Sequence, residues 1–329
     1  MIKCLRVDFI KKECIINMHG DETNFRNPLV LRRADPWVYN HNGKYYFTGS
    51  VPQYDCIELR RADTLDGLRD APRTVIWRAH KEGEMSEHIW APELHRINEK
   101  WYIYFTSAPK DDKWNIRPYV LECEDDDPIT GAWTEKGRII LPEDSFSLDM
   151  TSVVYNGAQY VFWAQKPNEE IGSCIFVARM KNPWTLDSDA VMITKPEYLW
   201  EKQGFAVNEG PAILMHGDKI IMTFSASDTG WRYCMGMAWA YKDSDWLDAK
   251  SWHKIHHPVF KSSAGQEMFG PGHNCFTTEH GRDVLIYHCR SYKDIDGDPL
   301  YDPNRHARAQ VFEYDENGLP VFGEPEGER

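Results

Sequence analysis

Four carboxylates and one imidazole recur at similar places in a repeated segment: Asp35 in RADPW, Glu93 in APEL, Asp149 in SLDMT, Glu209 in NEGPA and His273 in GPGHN. Gathered around one axis, such acids would be costly to bury without a purpose, because an unpaired charge in low dielectric is expensive. Two carboxyl groups, one protonating a leaving oxygen and one activating water, are what hydrolysis of a glycosidic bond requires. A third acid nearby raises the pKa of whichever group is least solvated and so keeps a general acid protonated. Asp35, Asp149 and Glu209 adjoin Ala34, Pro36, Thr151, Gly210 and Pro211, small or constrained neighbours that leave the carboxyls accessible. Glu93, between Pro92 and Leu94, suits a capping or arginine-pairing role equally well. No G-x-S-x-G elbow, phosphate-binding glycine loop or H-E-x-x-H motif competes, which leaves hydrolysis with no cofactor required.

The elements that must bring these residues together are legible as a repeat. The copies begin RADPWVYNHNGKYYFTGS at Arg33, APELHRINEKWYIYFTSA at Ala91, LDMTSVVYNGAQYVFWAQ at Leu148, NEGPAILMHGDKIIMTFSAS at Asn208 and GHNCFTTEHGRDVLIYHCR at Gly272. In each, two short runs rich in aromatic and β-branched residues flank a tight polar turn, which is hairpin chemistry. The turns fall at Gly43, Glu99, Gly157, Gly217 and Gly281, in steps of 56, 58, 60 and 64 residues. Five such units consume nearly all 329 residues. The chain therefore reads as an all-β, five-bladed β-propeller, a single domain over 24–329, in which early positions of each repeat converge at one mouth of the central channel. Residues 1–23 lie outside the repeat, and their charge pattern matches nothing downstream; they read as a disordered leader, or as a segment preceding a true start at Met18.

Composition narrows the partners. The net charge is −13 with no basic stripe, which argues against nucleic acid or an anionic membrane, while 13% aromatic residues suits both broad sheet packing and a neutral sugar ligand. Eight cysteines are scattered without a C-x-x-C pair, so they read as free, mostly buried thiols. Charged residues interrupt the N-terminal apolar run, and no long apolar span follows. Together these point to a cytoplasmic protein.

The segments RRADPWVY, HIWAPELH, FSLDMTS, VNEGPAIL, FGPGHNCF and GDPLYDPNRHAR resemble those of glycoside hydrolase family 43, and in particular its α-L-arabinofuranosidase branch, from about Asn27 to Gly323. The resemblance implies a five-bladed propeller that inverts anomeric configuration, with Asp35 as general base, Glu209 as general acid and Asp149 orienting the acid and tuning its pKa. It also implies a sugar pocket using Trp90, Phe205 and Arg290, to which the repeat adds Glu93 as a candidate substrate-binding residue. For Trp90 inter-blade packing competes with a sugar-platform role, and Arg290 reads equally as an ion-pair partner of Asp149 or Glu93. His273 falls where relatives place a histidine near the axis, in some cases beside a structural Ca²⁺, although a lone histidine is more often a satisfied hydrogen-bonding residue.

The run Asp294 to Asp298 fails the spacing of an EF-hand loop, with Gly297 fourth and Arg305 twelfth, and reads instead as a pocket rim carrying Tyr301, Asp302 and His306. Within the family the wording of the motifs favours release of terminal α-L-arabinofuranosyl residues from arabinan or arabino-oligosaccharides. β-Xylosidase, endo-arabinanase and non-catalytic carbohydrate-binding propeller are the alternatives.

Overall fold

The computed structural model describes residues 25–168 and 171–328; the expected leader lies outside them. Among the described residues five antiparallel sheets of three to five strands follow one another along the chain, and a two-stranded ribbon, Glu313–Tyr314 with Pro320–Val321, comes after them. Their inner strands are Ala34–His41, Glu87–Ile97, Ser147–Tyr155, Asn208–His216 and Phe269–Glu279. Neighbouring inner strands touch in sequence, and the fifth touches the first, so the sheets close into the expected five-bladed propeller. All five anticipated turns join an inner strand to its second strand. Four of them carry positive φ at two successive residues, Asn42-Gly43, Asn98-Glu99, Asn156-Gly157 and His280-Gly281. That is the backbone a two-residue hairpin matched to strand twist needs, and Asn and Gly adopt it at least cost.

The second strands, Lys44–Ser50, Lys100–Ala108, Ala158–Gln165, Lys219–Ala226 and Arg282–Arg290, are almost wholly buried. Their apolar runs are continuous because each face meets a different neighbouring blade. Trp101, Ile103 and Phe105 pack toward blade 1, whereas Tyr102 and Tyr104 on the alternate face pack toward blade 3. Likewise Val161 and Trp163 face blade 2 while Phe162 and Ala164 face blade 4. The core is thus five interfaces between blades, one at each junction of the ring.

The inner strands share a second device. Each is bulged within its first half, between Ala34 and Trp37, Trp90 and Glu93, Leu148 and Thr151, Glu209 and Ala212, and Gly272 and Cys275. The residue at each bulge has positive φ: Asp35, Ala91, Asp149, Gly210 and His273. Its N–H, turned out of the ladder, is captured by the preceding blade. Ala91 donates to Ser50 Oγ, Asp149 to Thr106 Oγ1, His273 to Ser225 Oγ and Asp35 to His288 Nδ1, at 2.7–3.1 Å. These acceptors occupy one register position, opposite Trp90, Glu209 and Gly272 in their own blades and opposite Ala34 in blade 1. In blade 3 that position is Ala164, which has no acceptor. The Asp149 carboxylate supplies one instead, taking the Gly210 N–H at 3.0 Å.

This geometry corrects the repeat alignment. Equivalent to Asp35, Asp149 and His273 are Ala91 and Gly210, so Glu93 and Glu209 lie two residues after and one residue before the shared position. A bulge shifts side-chain direction by a residue, which a count from the hairpin turn does not register.

Candidate active site

Because the bulges lie at the starts of the inner strands, their side chains gather at the mouth opposite the hairpin turns. There a cleft of about 510 Å³ opens, and Asp35, Asp149, Glu209 and His273 all line it. One end residue of four different inner strands therefore meets at a single site, as the repeat predicted.

The three acids differ in surroundings. Asp35 accepts a 2.6 Å hydrogen bond from Ser50 Oγ and lies 3.3 Å from His273 Nδ1, 3.5 Å from His288 Nδ1 and 3.6 Å from an Arg305 guanidinium nitrogen. Burial alone would raise its pKa, but the polar partners around it, His273 first and then Arg305, His288 and Ser50, outweigh it and hold the carboxyl at about 2. Burial drives both imidazoles toward the neutral form, so Arg305 is the partner that stays charged. Glu209 is the opposite case. Burial, with the nearby Asp35 charge adding, pushes it up to about 7, against the opposing hydrogen bond that Tyr233 donates to Oε1 at 2.8 Å. Asp149 is also raised well above the carboxylate range, by burial first and then by Glu209 and Asp35. Near neutrality the cleft therefore holds one firmly ionised carboxylate and two carboxyls that resist ionisation.

Small backbone positions make this arrangement fit. A Cβ on Gly210 would stand 3.1 Å from the His273 ring, and one on Gly272 would come within 2.6 Å of the Tyr233 ring. Gly272 thus clears the space from which Tyr233 reaches Glu209, and Tyr233 stacks on His288 at 5.5 Å. The His288 and Tyr233 rings connect the backbone of Asp35 to the carboxyl of Glu209.

Two of the expected pocket residues line the cleft. Trp90 is buried there, stacked on His88 at 4.3 Å, and Phe205 is 64% exposed at its margin. Glu93 and Arg290 are not among the lining residues. Glu93 is buried along the channel, its Oε2 3.0 Å from His95 Nε2, and burial lifts its pKa well above normal while lowering that of His95 to about 3, so the pair is uncharged. Arg290 donates to the Thr229 and Pro299 carbonyls, and its ion-pair partner is Asp302 at 3.5 Å, not Asp149 or Glu93. Of the expected rim, Asp302 is engaged with Arg290 and Tyr292, and His306 Nδ1 accepts the Arg32 N–H; Asp298 and Leu300 take the lining places instead.

Sequence reading missed Arg305, Tyr233 and Trp114, all in the lining. Arg305 sits inside the DPNRHAR segment, where its charge was the available signal; Tyr233 and Trp114, the latter half exposed beside His88, lie on loops outside the repeat and gave none. Among the described residues no group of three or more His, Cys, Asp or Glu is placed to hold a metal, whereas Ca²⁺ takes six to eight oxygens. His273 offers one nitrogen, turned to Asp35, and does not fit direct ligation of that ion.

Residues 25–320 match the family model described as Glycosyl hydrolases family 43. The chain is 51% identical over 305 residues to a Streptomyces avermitilis protein named extracellular exo-alpha-(1->5)-L-arabinofuranosidase, covering 92% of this chain and 63% of that one. It is 49% identical over 279 residues to a Streptomyces chartreusis protein of the same name, covering 84% and 85%. Among solved structures, an alpha-L-arabinofuranosidase from Lactobacillus brevis superposes with a TM-score of 0.90 at 48% identity, over 93% of this chain and 98% of that one. The cytoplasmic expectation is corrected by these relatives, since both Streptomyces proteins are named extracellular. Its physical basis was weak: the six described cysteines are free but buried, and a buried thiol reports packing whatever the compartment. A match spanning nearly every described residue, with the acids gathered in one cleft, identifies the chain as a member of glycosyl hydrolases family 43.

Proposed function

We propose that this chain is an inverting exo-acting α-L-arabinofuranosidase that releases terminal arabinofuranosyl residues from α-linked arabinan or arabino-oligosaccharides, acting outside the cell. The observation that carries the reading is the opposed protonation of two carboxyls lining one cleft, Asp35 held ionised beside Arg305 and Glu209 held up to about 7. Asp35 takes a proton from water as the water oxygen bonds to the anomeric carbon. Glu209 gives its proton to the departing glycosidic oxygen as the old carbon–oxygen bond breaks, so charge and atoms balance with no cofactor required. Asp149 holds the backbone next to Glu209 and, staying uncharged, adds no second negative charge beside the acid. Trp90 and the exposed ring of Phe205 offer apolar faces to a sugar.

The names of relatives at about half identity support the sugar and the exo mode. The chain spans only 63% of the Streptomyces avermitilis relative, and the assignment concerns the catalytic propeller. The test compares nitrophenyl α-L-arabinofuranoside, nitrophenyl β-xyloside and linear α-linked arabino-oligosaccharides. Arabinose release is expected from the first and third, with NMR showing the β anomer first; faster turnover of the xyloside, or first release of the α anomer, would overturn the proposal.

A further inference from the structure

Arg290 was expected to touch sugar, yet it is buried at the end of the second strand of blade 5 and does not line the cleft. Its two terminal nitrogens reach in different directions. One donates to the Thr229 carbonyl at 2.8 Å and the other to the Pro299 carbonyl at 2.8 Å. Thr229 belongs to the loop 227–233 of blade 4, and Pro299 to the loop 291–305 of blade 5. Both loops give residues to the cleft: Thr229 and Tyr233 from the first, Asp298, Leu300 and Arg305 from the second. The loops are joined again at the surface, where Lys293 Nζ lies 4.5 Å above the Trp231 ring. From the far side, the Tyr54 hydroxyl of blade 1 donates to the Leu300 carbonyl at 2.6 Å.

We propose that Arg290 is a positioning residue that ties these two loops into a wall closing one side of the cleft, and that this wall restricts the enzyme to chain ends. A planar guanidinium suits the task because its nitrogens are fixed in a fork, so two carbonyls on different loops are held at one spacing. An ammonium is a single point and meets one of them. With the fork gone, Thr229 and Pro299 lose their common anchor, the wall loosens, and a saccharide can extend past the site in both directions. The chain-end restriction rests on the arabinofuranosidase reading; the tether itself does not.

The test uses the whole chain. Arg290→Ala is expected to raise KM for nitrophenyl arabinofuranoside about tenfold with kcat within about threefold, the pattern of lost ground-state positioning. Added guanidinium chloride at millimolar concentration should recover KM, and linear arabino-oligosaccharides should yield disaccharide and longer products beside arabinose. Arg290→Lys should fall between, and it replaces the alanine variant if that fails to accumulate. Amide hydrogen exchange, read without substrate, should quicken in both 227–233 and 291–305. Unchanged exchange in those loops overturns the tether. Quickened exchange with arabinose still the sole product overturns the link to chain-end specificity. If the wild type cleaves no arabinofuranoside, the functional reading falls while the exchange measurement still decides the tether.

Discussion

At the residue scale, the carboxyls of the cleft couple activity and stability to pH in opposite ways. With Glu209 at about 7 as the proposed general acid, kcat/KM should fall along an alkaline limb near pH 7, while Asp35 at about 2 as the proposed base leaves the profile flat down to about pH 4. Glu209→Gln should reduce turnover of oligosaccharides by about 10²- to 10⁴-fold, and much less for an aryl glycoside whose leaving group needs little protonation. Stability runs as follows. The folded state keeps a proton on Glu209 that the unfolded chain releases above its ordinary value of 4.5, so stability declines as pH rises from 4.5 through about 7. Asp35 is depressed from 3.8 to about 2; its contribution is present above 3.8 and is lost as pH falls through about 2. Thermal melts should therefore show a lower midpoint at pH 8 than at pH 5. In Glu209→Gln the difference should shrink, with the variant gaining on the order of 2 kcal/mol at pH 8; an unchanged pH slope would mean that Glu209 is not the titrating group.

At the element scale, the bulge on each inner strand matters more than the strand itself. It turns one side chain into the cleft and one N–H toward the neighbouring blade, and a buried N–H left without an acceptor costs about 1–3 kcal/mol. Thr106→Val keeps shape but strands the Asp149 N–H, and should lose about that much in denaturant titrations. Blade 3 offers a sharper experiment, because Asp149 does there what a hydroxyl does in blades 1, 2 and 4. Asp149→Ala combined with Ala164→Ser places a hydroxyl at the shared register position. The double variant should be about 1 kcal/mol more stable than Asp149→Ala alone and remain as inactive, separating the structural duty of Asp149 from its chemical one. Equal stability of the two would show that the register analogy does not extend to blade 3.

At the scale of the whole molecule, the ring must be closed for four inner strands to deliver side chains to one cleft. Closure is made by the segment before blade 1. Leu29 and Val30 donate to the Ala307 carbonyl, the Ala307 N–H returns to Val30, and the Asn27 amide bonds both ways with Ala309 on the third strand of blade 5. Phe25, Leu29 and Val30 fill the interface between blades 1 and 5. Asn27→Ala strands a buried N–H and a carbonyl on Ala309, so it should cost about 2–4 kcal/mol. Residual protein should keep its KM, since Asn27 is remote from the cleft; a shift in KM without loss of stability would refute this role.

The amino-acid sequence by itself determined the number of blades, the turns and three of the acids. Those follow from local chemistry: Asn-Gly pairs in tight turns, continuous apolar runs on strands covered on both faces, and carboxyls beside small residues. Glu93 and Arg290 show where that reasoning stopped. Both sit in the right strands, but whether a side chain enters a cleft depends on a bulge's register and on which carbonyls neighbouring loops present, and those depend on contacts between blades far apart in sequence. The protonation states were decided at the same level. Asp35 and Glu209 are both carboxyls of the cleft, and the approach of Arg305 from blade 5 helps to hold the first ionised, while desolvation beside the Asp35 charge keeps the second protonated in spite of the hydrogen bond from Tyr233. Charge in a low-dielectric cleft is governed by neighbours within a few ångströms, and the ring closure, not the order of residues, chooses those neighbours.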